Sequence, residues 1–232
     1  MKPPIRFRGP SLTLLAIVHI LLFEAGFLAA AALRHGPSFV SPVAPAEQVR
    51  LFFAQSPFLD RLTNFFLFGS AVPLGIFAVT AVSRLRYLGI RAAGTNITLL
   101  GGLTATFALF LSGMAGWILS VPEVLTSAPL VKAIFYLSFL SGGALYAMGF
   151  GLMAAGISIT SHYAHLLPRW IILLGLLVAL AGELSWFSLL TYPANFFIPV
   201  TRFIGFIWML LTAIYLTKSR NPTQLLDSAP IS

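Results

Sequence analysis

Long apolar stretches, separated by short polar segments, dominate this chain. A helix that crosses a bilayer needs about 20 mostly apolar residues, and six stretches meet that requirement. They run over Ser11–Leu33, Leu62–Val82, Thr95–Ser120, Ala133–Thr160, Arg169–Leu190 and Ile198–Thr217. The pattern predicts an all-α fold, an integral membrane helical bundle of six transmembrane helices that forms a single domain over residues 1–232.

Helix-breaking residues fall between these stretches, as expected for short loops. They are Gly36-Pro37 after the first stretch, Pro122 after the third, Pro168 before the fifth, and Pro193 and Pro199 on either side of the last loop.

The longest predicted loop, residues 34–61, carries a second pattern. Three apolar residues recur there at helical spacing, among polar residues such as Glu47 and Arg50; they are Val49, Phe52 and Phe53. This pattern predicts a short amphipathic helix. The helix can lie on the outer membrane surface, or it can be a lid over an outward-facing cavity.

Composition agrees with a membrane protein and argues against a nucleic-acid partner. Hydrophobic residues make up 58% of the chain and charged residues 9%, whereas a soluble domain has roughly a quarter charged residues. The net charge is +8, but basic residues flank membrane spans and set their orientation. No basic patch alternates with aromatic residues in a polar region, so we expect no nucleic acid.

The distribution of basic residues predicts the orientation. With a cytoplasmic N-terminus, nine basic residues lie inside and five outside, and the strongest signal is the cluster Arg84, Arg86 and Arg91. We therefore predict a multi-pass protein of the bacterial inner (cytoplasmic) membrane with both termini cytoplasmic. A cleaved signal peptide is the alternative for the first span, although Glu24 interrupts its apolar run.

Three charged residues are predicted to lie at one depth in the membrane. Counted at 1.5 Å per residue from the cytoplasmic edge, Glu24, Glu183 and Arg202 lie about 20, 21 and 24 Å deep. Because buried charges pair or neutralise, we expect an ion pair between Glu183 and Arg202, which are on consecutive spans. We expect Glu24 to face the interior with Glu183 as its partner, so that the two carboxylates can share a proton.

Two further residues complete the predicted ligand or proton site. His19 precedes Glu24 by five residues, and Trp186 follows Glu183 by three, on the same face of its helix. A purely structural role is the alternative for the whole group: an ion pair can lock two helices together, and an intramembrane histidine can be a hydrogen-bonded packing residue.

The fourth span carries a pattern typical of close helix packing. Small residues recur there every fourth position; they are Gly143, Ala147, Gly151 and Ala155. Small residues at this spacing let helix backbones approach closely in a membrane. The third and fourth spans are therefore expected at the centre of the bundle.

No cofactor, metal site or catalytic residue is predicted. The chain has no cysteine, which removes disulfides, thiol catalysis and iron–sulfur clusters. His162 and His165 have no third ligand nearby, and His19 has no histidine on a facing span to complete haem ligation. The motifs of zinc proteases and of P-loop enzymes are absent.

Several segments resemble a broad group of uncharacterised six-span bacterial membrane proteins of unknown function. They are Ser83-Arg84-Leu85-Arg86, Leu167-Pro168-Arg169-Trp170, Gly182-Glu183-Leu184-Ser185-Trp186, and Thr201-Arg202-Phe203 with Gly205 and Trp208. The resemblance covers the chain from about Leu62 onward and implies the six-span fold, with no known site residues.

The leading interpretation is a membrane protein that binds or passes a proton or small ligand at an intramembrane Glu/Arg site. The first alternative is a non-catalytic membrane subunit that scaffolds a partner protein, and an intramembrane enzyme is the third interpretation. The expected partners are the lipid bilayer and, in addition, a membrane protein or a second copy of the chain.

Overall fold

The computed structural model describes residues 9–37 and 39–218, and every regular element in those ranges is helical. It confirms the predicted all-α bundle, with six helices long and apolar enough to cross a membrane and one shorter helix. The helices are α1 (Leu12–Leu33), α2 (Ala46–Gln55), α3 (Pro57–Tyr87), α4 (Ala93–Ile118), α5 (Ala128–Tyr163), α6 (Arg169–Leu189) and α7 (Tyr192–Lys218). Some charges used to predict the orientation lie outside the described residues; they are Lys2, Arg6, Arg8, Arg220 and Asp227.

Three helices begin several residues before the predicted start of their span, because a proline lies in the first turn of each. These prolines are Pro57 in α3, Pro129 in α5 and Pro193 in α7. Proline lacks an N–H, and the first N–H groups of a helix have no intrahelical partner, so proline fits there. The prediction that Pro193 and Pro199 lie on either side of the last loop was therefore wrong, because both lie within α7. As a consequence, Asp60, Arg61 and Lys132 are on helices.

Helix α5 packs on two neighbours through two different glycine faces. On the α4 side, a Cβ added to Gly149 would lie 2.6 Å from Ala105 N and 2.9 Å from Gly101 O. On the α6 side, a Cβ added to Gly182 would lie 2.5 Å from Ala147 O and 2.8 Å from Gly151 Cα. Such distances leave no room for a side chain, so these helices touch backbone to backbone.

The small residues predicted as one ridge contact different elements. Ala147 and Gly151 face Gly182 of α6, whereas a Cβ on Gly143 would lie 3.1 Å from Ile198 Cδ1 of α7. Ala155, farther along α5, is half-buried. The predicted ridge therefore contacts α7 at Gly143 and α6 at Ala147 and Gly151. The contact of α5 with α4 is made by other residues, including Gly149.

Two of the spans contain a π-helical segment. In α5 it covers Ser141–Leu145 and in α7 it covers Val200–Ile204. A π segment adds one residue to a helical turn, shifts the register of the side chains that follow and is frequent at functional sites.

The amphipathic helix α2 packs on one end of the bundle, which we call the α2 end. Its apolar face, with Val49 and Phe53 buried, lies against Val131 and Phe135 of α5. This packing favours the lid over the surface helix, because the apolar face of α2 is covered by protein.

Helix α1 is an integral member of the bundle. The fully buried ring of His19 places Nδ1 2.9 Å from the Ser70 carbonyl oxygen of α3. Farther along α1, Thr63 Oγ1 donates a hydrogen bond of 3.1 Å to Gly26 O. The second contact needs a glycine, since a Cβ on Gly26 would lie 2.8 Å from Thr63 Cα.

The glycine contacts make a first prediction about stability. In Gly101→Ala the new methyl group would overlap Met153 N of α5, and overpacking of this kind costs about 1–3 kcal/mol. We expect a lower thermal unfolding temperature in detergent. The matched control is Gly69→Ala, whose Cβ would meet nothing within 4 Å; it should be neutral or stabilising, because alanine favours a helix by about 1 kcal/mol over glycine. Equal destabilisation by both changes would contradict the packing argument.

The orientation gives a second prediction, which the cysteine-free sequence makes easy to measure. Val43 precedes α2 and is 61% exposed, and Tyr163 ends α5 and is 80% exposed. In intact cells a membrane-impermeant maleimide should label Val43→Cys, and it should label Tyr163→Cys only after permeabilisation. The reverse pattern would overturn the predicted orientation.

Candidate functional site

A cavity of about 230 Å³ opens under α2 and extends into the bundle. We call it the central cavity. Its walls come from α1, α3, α4, α5 and α7, and most of them are apolar or aromatic side chains, including Phe27, Leu67, Phe135, Phe139 and Ile198. An apolar pocket with a few convergent polar groups is the usual form of a small-molecule site.

Arg202 lies at the base of the central cavity, where the two π segments meet. Its Nη2 donates a hydrogen bond of 2.8 Å to Gly142 O, so the π segment of α7 is bonded to the π segment of α5. The Nε of Arg202 is buried and has no hydrogen-bond partner. A guanidinium with a free buried N–H can therefore accept a further oxygen ligand.

Two aromatic rings flank the Arg202 guanidinium. Its Cζ lies 4.8 Å from the ring centre of Phe23 and 5.8 Å from that of Tyr146. Cation–π contacts of this kind stabilise a desolvated cation by about 2 kcal/mol. The rings therefore compensate part of the cost of keeping a charge inside the bundle.

Beneath Arg202 a packed aromatic cluster closes the central cavity. The rings of Phe23 and Phe206 are 5.2 Å apart, and those of His19 and Phe206 are 5.6 Å apart. Tyr146, Phe150 and Trp208 extend the cluster and are all fully buried. The lining residues of the central cavity therefore end at Phe23 and Arg202, above this cluster.

A buried ion pair lines the central cavity beside α2, at what we call the mouth of the cavity. Arg34, at the end of α1, pairs through Nη2 with Asp60 Oδ1 of α3, and both side chains are almost fully buried. Arg34 Nη1 also donates a hydrogen bond of 3.2 Å to Phe52 O of α2, and its Cζ lies 4.3 Å from the Phe52 ring centre. One arginine thus joins α1, α3 and the lid helix α2.

The ion pair predicted between Glu183 and Arg202 is not formed. Within the described ranges the ion pairs are Arg34–Asp60 and Arg50–Glu47. Arg202 instead bonds to the Gly142 backbone, and Glu183 Oε1 is buried without a hydrogen-bond partner. The prediction failed because similar depth on consecutive helices does not fix the direction of a side chain around the helix axis.

Glu24 and Arg202 interact electrostatically, but they do not form an ion pair in direct contact. The groups that act electrostatically on Arg202 include the Tyr146 hydroxyl and the Glu24 carboxylate, although no nitrogen–oxygen pair lies within the distance of an ion pair, about 4 Å. Glu24 is half-buried. Its charged neighbour is therefore Arg202, not the expected Glu183, and nothing in the described residues brings the two glutamates together.

His19 and Trp186 lie outside the wall of the central cavity. His19 belongs to the aromatic cluster below Arg202 and is bonded to the Ser70 carbonyl, which agrees with the packing interpretation. Trp186 is 44% exposed and stacks on Phe187 at 4.5 Å between ring centres. Of the five residues predicted for the site, only Arg202 lines the central cavity.

Several residues of the site escaped the sequence analysis. Arg34 and Asp60 fall in the predicted loop over residues 34–61, although a basic and an acidic residue at the ends of two spans are a usable signal for a pair. Nothing in the sequence distinguishes Gly142, Phe23 and Tyr146 from the other residues of the apolar spans. Every residue has a backbone carbonyl, and aromatic residues are common throughout these spans.

No group of three or more metal-ligating side chains occurs in the part of the chain that the structure describes. Comparison of the chain with protein-family models, with characterised proteins and with solved structures gave no match. The resemblance to six-span bacterial proteins therefore stays a prediction, and the function must be argued from the site itself.

The ion pair at the mouth gives a third prediction. Asp60→Asn keeps the shape of the side chain but leaves the buried Arg34 charge without a counter-charge, and breaking a buried pair costs about 3–5 kcal/mol. We expect faster hydrogen exchange in α2, measured by mass spectrometry, and a lower unfolding temperature.

The matched control is Glu47→Gln, which breaks the Glu47–Arg50 pair on the exposed face of α2. An exposed pair contributes only about 0–1 kcal/mol, so exchange in α2 should change little. If Asp60→Asn left the exchange of α2 unchanged, the ion pair would not hold the lid.

Proposed function

We propose that this multi-pass membrane protein binds a small amphipathic ligand whose anionic head is held by Arg202 at the base of the central cavity. The observation that carries the proposal is the buried, unpartnered Nε of Arg202, at the contact between the two π segments. An intramembrane ionisable residue that faces a cavity is by default a functional candidate.

The charge of Arg202 supports an anionic head. No carboxylate lies within ion-pair distance of its guanidinium in the described residues, and a buried charge is costly unless it is paired. A carboxylate or phosphate oxygen could accept the free Nε–H in a charge-assisted hydrogen bond, which is roughly twice as strong as a neutral one.

The walls of the central cavity support an apolar part of the ligand. Phe27, Phe135 and Phe139 would contact a chain or ring that extends from Arg202 toward α2. The volume of about 230 Å³ is below the range of about 300–1,000 Å³ usual for drug-sized ligands. The cavity therefore suits a compact head and the first part of a tail.

Binding is favoured over passage, because Phe23, Phe206 and Tyr146 pack against one another below Arg202. The small residues of α5 do not support the interpretation that the protein is a scaffold for a partner. Gly149 and Gly151, which could have offered a partner a flat surface, are used inside the bundle against α4 and α6.

The proposed setting is a bacterial cytoplasmic membrane with both termini in the cytoplasm. Arg84, Arg86 and Arg91 lie around the short connection between α3 and α4, at the end of the bundle opposite α2. Because basic loops stay on the cytoplasmic side, the central cavity would open to the extracytoplasmic side.

The test uses palmitate that carries a photoreactive diazirine, with the full chain in lipid nanodiscs. We expect saturable labelling of central-cavity residues, mapped by mass spectrometry, that unlabelled palmitate suppresses and the uncharged hexadecanol does not. Lysophosphatidate should compete as well if a phosphate head is accepted. Hydrogen bonds to charged groups contribute about 1.5–3 kcal/mol, so Arg202→Gln should weaken saturable labelling at least about tenfold.

Arg202→Lys keeps the charge and should retain part of the binding. The control is Arg169→Gln, which removes an exposed charge at the far end of the bundle and should match the wild type. Saturable labelling of Arg202→Gln at the wild-type concentration, or no saturable labelling of the wild type, would overturn the proposed function.

A further inference from the structure

A second, larger hollow lies on the outside of the bundle, between α3 and α4. This lateral groove has a volume of about 530 Å³. Its walls are exposed apolar side chains that face the membrane; they are Phe58, Phe65, Phe68, Met114, Trp117 and Ile118.

One residue lines both the lateral groove and the central cavity, and it is Asn64 of α3. Its side chain lies over Gly116 of α4, where an added Cβ would overlap the carboxamide. The carboxamide is held by one hydrogen bond, from Nδ2 to Asp60 O one turn back on the same helix, at 2.7 Å. Asn64 over Gly116 is therefore the point at which the two spaces approach each other.

The helices are in contact above and below this point. On the α2 side, Arg61 Nε donates a hydrogen bond of 3.3 Å to Ser120 Oγ. On the other side the helices touch, since a Cβ on Gly113 would lie 2.9 Å from Phe68 Cβ. Asn64 and Gly116 thus close a window that has fixed upper and lower edges.

We infer that this window is a lateral portal through which a membrane-dissolved, single-chain anionic amphiphile passes from the bilayer into the central cavity. The inference rests on the proposed function and adds the source of the ligand and its route. In the bound state the head would be at Arg202, and the tail would leave through the window into the lateral groove.

Charged groups along this route fit an anionic head. Counted from the start of α3 at 1.5 Å per residue, Arg61 is about 6 Å deep and Asn64 about 10 Å deep. Arg202 is about 15 Å from the start of α7. The exposed Arg61 guanidinium lies 5.7 Å from the Trp117 ring centre, and an aromatic residue beside a basic one near a helix end is typical of a membrane interface. The head would thus pass from one arginine to the next.

The absence of cysteine from the sequence allows the window to be sealed with a disulfide. In Asn64→Cys/Gly116→Cys the two Cβ atoms would be close neighbours, because the Asn64 carboxamide already occupies the position of a Gly116 Cβ. The matched control is Gly75→Cys/Thr106→Cys, which links the same two helices away from both hollows with Cβ atoms 3.7 Å apart, near the mean of a disulfide.

The measurement is the rate at which membrane-dissolved diazirine palmitate labels the central cavity in proteoliposomes. The oxidised window pair should label at least about tenfold more slowly than the wild type, and a reductant should restore the rate. The oxidised control pair should label at the wild-type rate. Asn64→Ala removes the carboxamide and leaves Gly116 in place, so it should label faster than the wild type.

The possible failures can be told apart. If the oxidised window pair labels as fast as the wild type while Arg202→Gln still weakens saturable labelling, the portal is wrong and the proposed function stands. If Asp60→Asn, and not Asn64→Ala, speeds labelling, the ligand enters under α2 and the portal is wrong. If the wild type shows no saturable labelling, the proposed function fails and the portal fails with it.

Discussion

Backbone-to-backbone contact between helix α5 and its two neighbours is the constraint on which the other features depend. Lipid tails are as apolar as leucine, so membrane helices gain little from burying apolar side chains and associate mainly through close packing. Glycine supplies that packing at Gly149 against α4 and at Gly151 and Gly182 between α5 and α6. The half of the bundle away from α2 is dense as a result, with Phe150 and Trp208 fully buried.

Toward the α2 end the dense packing stops where α5 and α7 each contain a π segment. The extra residue in a π turn changes which side chains face the interior. There the bundle holds the central cavity and places Arg202 at its base, bonded to Gly142 O. The same arginine would be far more costly in the dense half, because it needs a carbonyl, aromatic faces and room for a counter-charge.

Both hollows depend on glycine in α4. Gly113 lets Phe68 approach and forms the lower edge of the lateral groove, while Gly116 leaves space for the Asn64 carboxamide. In the proposed portal, Asn64 over Gly116 is the side chain that would have to turn, while α3 and α4 stay in contact through Phe68 and Gly113. Arg34 and Asp60, which also line the central cavity, form a buried ion pair, and Arg34 bonds to α2.

The sequence by itself determined the six spans and the short amphipathic helix, because span length and apolar composition are set by the bilayer. It placed Arg202 in the interior for the same reason. The tertiary structure decided which partners those residues have: Arg202 bonds to the Gly142 carbonyl, interacts with Glu24 at longer range, and makes no pair with Glu183. It also decided that α2 covers a cavity. The physical reason is that a span is recognised from the residues along one helix, whereas contacts follow from the rotation of each helix about its axis. That rotation is set by glycine contacts and π segments, which a single sequence does not reveal.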